Sequence, residues 1–273
     1  MSGLEELQSA WADRVEGFAR DAAPRSRPFA AALVDIVPPP HGGNVLDVAT
    51  GPGGVAVEAA RRVGPAGSVL ATDFIPDWAS HVAETAAEAG VSNVSFATMP
   101  AAALTVPDAT FDVVYCQFGL MFMPDPVAAL REMRRVLRPG GWLGLAVWSV
   151  PEKVGIFLIP RIVASVLPPP EDTPLPSPLS MGAPGLLESL VAEAGFHDIQ
   201  VHLVTRHYEV PDPVAEWQRW SADPDSPIGQ GVRALLPRER QRLHDEVVAA
   251  LESFRNGESI QVPSEAIVVT ATR

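Results

Sequence analysis

The sequence predicts an α/β fold, a doubly wound and mostly parallel sheet covered by helices on both faces. Three observations predict it. The stretch VLDVATGPGGVA, Val45–Ala56, passes from β-formers through a turn of Gly51, Pro52, Gly53 and Gly54 into helix-compatible residues. From Val45 to Ser149, strand-like and helix-like segments alternate, the pattern of a parallel sheet with helical crossovers. The punctuation agrees: Asp125-Pro126 joins an N-capping carboxylate to a first-turn proline, and Arg138-Pro139-Gly140-Gly141 follows as a stop.

Residues 4–37 read as helical with a break near Ala23-Pro24, because Leu4, Leu7, Trp11, Val15 and Phe18 recur at helical spacing. This segment belongs to an N-terminal cap, residues 1–40. Packing on the sheet is its default role; the alternative is a lid whose Trp11 and Phe18 face a ligand. Residues 41–150 form the core. Strands are expected at Val45–Ala49, Val69–Asp73, Val94–Met99, Phe111–Phe118 and Trp142–Ser149. Helices are expected at Val55–Val63, at Trp78–Ala89 and from Asp125 to Leu137.

Residues 151–273 complete the same domain. Val166–Ser180 (VLPPPEDTPLPSPLS) holds too many prolines for regular structure and is either a linker or a lid loop. A helix at Gly185–Ala194 and a long strand at Ile199–Tyr208 follow. Asp212-Pro213 repeats the cap-and-proline start, leading into helices at Val214–Trp220 and Arg238–Phe254. Ala266–Ala271 is the final strand. A helical cap insertion, residues 211–257, thus separates the last two strands.

Apolar residues make up 47% of the 273, so a large core can form. The net charge is -13 and no basic cluster exists, which argues against nucleic acid and anionic membrane partners. One cysteine, Cys116, excludes an internal disulfide and a cysteine-based metal site; no metal is expected. The charged start lacks a signal-peptide core and no apolar run reaches about 20 residues, so the expected location is the cytoplasm.

Gly51, Gly53 and Ala56 satisfy the G-x-G-x-x-A spacing of a dinucleotide site. Asp73, ending the second strand, is placed to accept both hydroxyls of a ribose. Neither feature separates NAD from S-adenosylmethionine. Asp47 does. A carboxylate buried at a strand end needs a partner. The ammonium of a methionine moiety can supply one, through the loop backbone or water, whereas a pyrophosphate would be repelled. Tyr115 and Tyr208 are the only tyrosines and Lys153 the only lysine, so the proton relay of a nicotinamide-dependent oxidoreductase is missing.

Val45–Gly53, Thr72-Asp73, Phe111-Asp112, Leu137–Gly141 and Ala194-Gly195-Phe196 stand in the order and spacing of a known family. The chain resembles the class I S-adenosylmethionine-dependent methyltransferases, nearest the ubiquinone/menaquinone-type, methyltransferase domain 11-like subfamily. The resemblance covers residues 40–150 and, weakly, Ala266–Arg273. It implies a Rossmann-like seven-stranded sheet with a reversed last strand. It also implies roles. Asp47, Ala49, Thr50, Gly51 and Gly53 hold the methionine end, and Asp73 holds the ribose. Phe74 and Trp78 flank ribose and adenine. Gln117 and Phe118 face the sulfonium. The product is S-adenosylhomocysteine.

Two departures stand out. Where many relatives carry Gly-Asp-Ala after strand three, this chain reads Met99-Pro100-Ala101, leaving adenine to backbone and apolar contacts. Ala49 replaces the usual first loop glycine. No general base declares itself, so the catalytic residues are unknown; His207 and His244 are the candidates kept. Trp11, Phe18, Phe29, Met121, Phe122, Trp148, Phe157, Trp217 and Trp220 are available to line an apolar pocket. The expected acceptor is an apolar small molecule of quinone, polyketide, terpenoid or aromatic type, methylated on oxygen or carbon. The alternative is a related fold used as a non-methylating cyclase or scaffold. A homodimer is the default assembly.

Overall fold

In the computed structural model, which describes residues 3–167, 176–224 and 226–273, every apolar run expected as a strand becomes one. The strands are β1 (Asn44–Val48), β2 (Ser68–Asp73), β3 (Val94–Thr98), β4 (Phe111–Gln117), β5 (Leu137–Trp148), β6 (His197–Val210), β7 (Arg255–Asn256) and β8 (Ser259–Thr272). Their order is β3-β2-β1-β4-β5-β8-β6, with the two-residue β7 paired beside β8. The first five run parallel, and β8 runs antiparallel to β5 with Trp142 opposite Thr272 and Trp148 opposite Ala266. This is the Rossmann-like sheet with a reversed last strand. The order turns around at β1, between β2 and β4, which is where such sheets bind ligands.

The helices are α1 (Gly3–Ala12), α2 (Val15–Gly17), α3 (Ala23–Ile36), α4 (Gly54–Val63), α5 (Trp78–Glu88), α6 (Pro126–Val136), α7 (Leu158–Ala164), α8 (Leu186–Glu193), α9 (Pro213–Ser221), α10 (Pro227–Ala234) and α11 (Pro237–Glu252). Asp125 caps α6 by accepting from the Ala128 amide at 2.8 Å, and Asp212 caps α9 through the Val214 and Ala215 amides. Both Asp-Pro starts were legible for that reason.

Two boundaries differ from expectation. The N-terminal segment does not break at Ala23-Pro24: a π-helical turn, Phe18–Ala22, runs straight into α3, whose first turn accepts Pro24. The interruption lies instead at Asp13-Arg14, between α1 and α2. Arg138–Gly141 does end α6, but as the irregular start of β5: Phe111 pairs with Leu137, and Val113 with Trp142. Gly140 there adopts φ 77, which a side chain disfavours.

The chain divides into two units, one of Met1–Val150, Pro174–Val204 and Ala266–Arg273, the other of Pro151–Thr173 and Thr205–Glu265. The second has its own core, in which Leu158, Trp217, Val232, Leu243, Val247 and Leu251 meet Ile260 and Val262. Helices α7 and α10 had no signal of their own in the sequence, being short and proline- or glycine-bearing. Of the expected lid, Val166–Ser180, residues 168–175 lie outside the described residues; the remainder holds no helix or strand. Among the described residues, no helix is long and apolar enough to cross a membrane.

Candidate active site

A cavity of about 1070 Å³ lies in the first unit at the carboxyl ends of β1, β2, β3 and β4. It is lined by Asp47, Ala49, Thr50 and Gly51 from the β1 end, and by Asp73, Phe74 and Trp78 from the β2 end. Met99, Pro100 and Ala101 line it beyond β3, and Gln117 and Phe118 beyond β4. Twelve of the thirteen residues expected at a cofactor therefore converge on one space. Gly53 does not line it. Gly53 precedes α4 at φ 89, and a Cβ there would stand 3.3 Å from Val82.

Asp47 is 1% exposed. One of its oxygens accepts the Thr50 hydroxyl at 2.6 Å and the Ala56 amide at 3.0 Å. It thereby fixes the loop and satisfies an amide of the first turn of α4, a need that every helix start has. Asp73, 6% exposed, accepts the Gly51 amide at 3.0 Å on one oxygen and the Ile75 amide at 3.1 Å on the other. Burial pushes Asp47 up to about 7 and Asp73 up to about 6; the hydrogen bonds only partly oppose it, and no basic side chain contributes to either shift. Two buried acids without a cation suit a ligand that brings its own positive charge. The chain thus fits S-adenosylmethionine, whose ammonium and sulfonium are cationic.

The loop tolerates its departure from the family glycine through a second glycine. Ala49 sits at φ 54, a conformation costly for a side chain. A Cβ on Gly119 would lie 2.5 Å from the Ala49 methyl and 3.2 Å from Cys116 Sγ. Gly119 therefore makes room for Ala49. Phe118 also lies at φ 54, held by its amide to the Ala146 carbonyl at 2.8 Å and by stacking on Trp148 at 3.7 Å. Gly119→Ala is expected to destabilise the protein by about 1–3 kcal/mol through this clash. Thermal melts check it: a midpoint equal to wild type would show that the loop has room to spare.

The apolar wall comes from the N-terminal segment. Leu7, Trp11 and Phe18 line the cavity with Phe122. Trp11 meets Phe122 edge to face at 4.9 Å, and Phe18 meets Trp78 at 5.9 Å. Trp11 and Phe18 thus both pack against neighbouring rings and line the cavity. Phe29, Met121 and Trp148 are buried beneath. Phe157, Trp217 and Trp220 belong to the second unit.

Sequence reading missed part of the wall: Ser26 and Arg27 of α3, and His81, Glu84, Thr85 and Glu88 of α5. Trp78, His81, Thr85 and Glu88 recur at three and four residues, so helical spacing from Trp78 could have found that face. His81 Nε2 lies 3.3 Å from Glu16. His207, exposed on β6, and His244, paired with Asp245 at 2.9 Å, belong to the second unit. Among the described residues, no group of three His, Cys, Asp or Glu is placed to hold a metal.

Comparison with known proteins agrees with this geometry. A family model described as a methyltransferase domain matches residues 45–141. The chain is 33% identical to the nocamycin O-methyltransferase of Saccharothrix syringae over 203 residues, covering 70% of this chain and 71% of that one. It is 40% identical to the demethylmenaquinone methyltransferase of Listeria monocytogenes over 114 residues, 42% of this chain and 48% of that relative. Among solved structures, a SAM-dependent methyltransferase from Aquifex aeolicus aligns with a TM-score of 0.52 at 20% identity, over 73% of this chain and 92% of that one. The [4+2]-cyclase SpnF aligns with a TM-score of 0.52 at 22% identity, over 90% and 80%. At such identities the two structures speak for the fold alone. The extended match to the O-methyltransferase carries the assignment: this chain belongs to the class I S-adenosylmethionine-dependent methyltransferases.

Proposed function

We propose that the cavity holds S-adenosylmethionine and an apolar small-molecule acceptor together, and that the chain methylates that acceptor on oxygen or carbon. The observation that carries the reading is the pairing, in one cavity, of two buried carboxylates at one side and an aromatic wall of Trp11, Phe18, Trp78 and Phe122. Its volume, about 1070 Å³, reaches the top of the roughly 300–1,000 Å³ range of single-ligand pockets. That leaves space for two molecules. The names of the relatives, a nocamycin O-methyltransferase and a demethylmenaquinone methyltransferase, support an acceptor of this apolar kind.

In this reading, Asp73 accepts the ribose hydroxyls, and Asp47 with Ala49, Thr50 and Gly51 holds the methionine end. Phe74 and Trp78 cover ribose and adenine, and Met99, Pro100 and Ala101 meet adenine through backbone and apolar contact. Gln117 and Phe118 face the reacting centre. When bound, S-adenosylmethionine supplies a methyl group activated on sulfur. The chain's contribution is then to align the acceptor and exclude water, and a base is dispensable where the acceptor hydroxyl ionises readily.

The test is product analysis with S-adenosylmethionine and demethylmenaquinone or apolar phenols. S-adenosylhomocysteine released in step with a methylated product supports the reading. An acceptor converted without S-adenosylhomocysteine overturns it in favour of a cyclase.

A further inference from the structure

Five acids line the cavity: Asp47, Asp73, Glu84, Glu88 and Asp125. A methionine moiety bound there brings a carboxylate as well as its ammonium, and like charges repel. Some group has to meet that carboxylate. Among the described residues, two basic side chains line the cavity, His81 and Arg27. His81 packs edge to face on Trp78 at 5.4 Å and lies 3.3 Å from Glu16, so it already has an acidic neighbour. Arg27 has neither a hydrogen bond nor an ion pair among the described residues.

The fold directs Arg27 to the methionine end. Helix α3 runs alongside α4 in the same sense. Ala30 faces Gly54, the first residue of α4, with 3.9 Å between the Ala30 methyl and a Cβ built on Gly54, and further along Asp35 pairs with Arg62. Arg27 stands three residues before Ala30, so it shares that face of α3 and lies about 4.5 Å further back along the axis. Side chains lean toward the start of their helix, which carries the guanidinium past the beginning of α4 toward the Gly51-Pro52 turn. Gly51, Pro52 and Gly54 line the same cavity as Arg27. On the other side, Gln117 at the end of β4 donates to the Ser26 carbonyl at 3.5 Å. The first turn of α3 therefore spans the β1 and β4 ends, which the methionine and sulfur occupy in the reading above, and not the β2 and β3 ends given to ribose and adenine.

The start of α4 favours the same charge. The Ala56 amide is bonded to Asp47, whereas the Gly54 and Val55 amides have no acceptor among the described residues, and both residues line the cavity. A helix start is electropositive, which adds to the pull of the guanidinium on an anion.

We propose that Arg27 pairs with the α-carboxylate of S-adenosylmethionine, so that the cofactor is held as a zwitterion, its ammonium on the Asp47 side and its carboxylate on Arg27. This rests on the methyltransferase reading and adds to it a cofactor-binding residue from outside the strand-end loops. The planar guanidinium fork matches a carboxylate with two N–H groups. Arg27 is exposed, so water competes for the pair and limits its worth to about five- to tenfold in affinity.

The test is calorimetric titration of the full chain with two ligands. One is S-adenosylhomocysteine. The other is 5′-deoxy-5′-(3-aminopropylthio)adenosine, which keeps the amine and lacks only the carboxylate. Wild type is expected to bind S-adenosylhomocysteine about five- to tenfold more tightly than the analogue. Arg27→Gln is expected to bring the two within about twofold while leaving the affinity for the analogue unchanged. Equal binding of both ligands by wild type overturns the proposal. So does a preference that survives the substitution, or an Arg27→Gln loss common to both ligands, which would mark a packing role. Wild type that binds neither ligand overturns the methyltransferase reading and the proposal with it, so the two failures are told apart in one experiment.

Discussion

Replacing Asp73 by asparagine is expected to weaken S-adenosylmethionine and S-adenosylhomocysteine by about 100-fold. The carboxylate is fixed by the Gly51 and Ile75 amides, one on each oxygen, and lines the cavity. Its remaining lone pairs are the ones a ribose would use. Two hydrogen bonds to a charged acceptor, each worth about 1.5 kcal/mol or more, amount to roughly 100-fold. The asparagine keeps the shape but loses the charge, and its NH2 must face one of the two backbone amides. Both ligands share the ribose, so both lose equally. Calorimetric titration of each, with circular dichroism to confirm the fold, decides it. A variant within about threefold of wild type would remove Asp73 from the site.

The second large effect concerns Asp47 and pH. Its folded pKa, about 7, stands above the usual carboxylate value, because burial disfavours the charge. A group that binds its proton more tightly when folded stabilises the fold below its unfolded pKa. That stability is lost as pH rises through about 7. From pH 5.5 to 7.5 the ligand-free protein should therefore lose about 2 kcal/mol from this group, or about 4–8 °C in melting temperature. In Asp47→Asn the loss should shrink by that amount, since the amide can still accept from Thr50 and Ala56 without carrying a charge. A cationic ligand reverses the sign: it favours the ionised carboxylate, so S-adenosylmethionine should bind wild type more tightly as pH rises over the same range. Identical melting profiles for the two proteins would show that Asp47 is ionised at no cost. An affinity independent of pH would show that the ligand does not sense it.

The site was legible in part because its elements are punctuated. Asp47, Gly51 and Asp73 stand at strand ends and in a glycine turn, where alternation of apolar runs already sets the position. Met99–Ala101 was placed by the family resemblance, as the stretch that follows strand three. Gly53 reads as part of the same motif, yet its φ of 89 serves the entry into α4 and it stays out of the cavity. A motif marks a loop; it does not say which residues of the loop face inward.

The N-terminal wall was harder. Helical spacing in residues 4–37 says that Trp11 and Phe18 share a face with Leu7, and nothing in it says whether that face meets core or cavity. The answer depends on contacts with Phe74, Trp78 and Phe122, at sequence distances that local pattern does not reach. The compensation between Ala49 and Gly119 is of the same kind: the reason for the pair is that a Cβ on Gly119 would stand 2.5 Å from the Ala49 methyl.

The sequence by itself determined the alternation of strands and helices, the glycine turn within Val45–Ala56 and the family. These rest on local chemistry: hydrophobic period, capping carboxylates, and glycines where the backbone turns. Only the tertiary structure decided that Asp47 anchors its own helix, that α5 contributes His81, Thr85 and Glu88 to the wall, and that Trp11 and Gln117 are left with one unpaired atom each. Burial and hydrogen-bond satisfaction are properties of neighbours brought together by folding, and no window of sequence contains them.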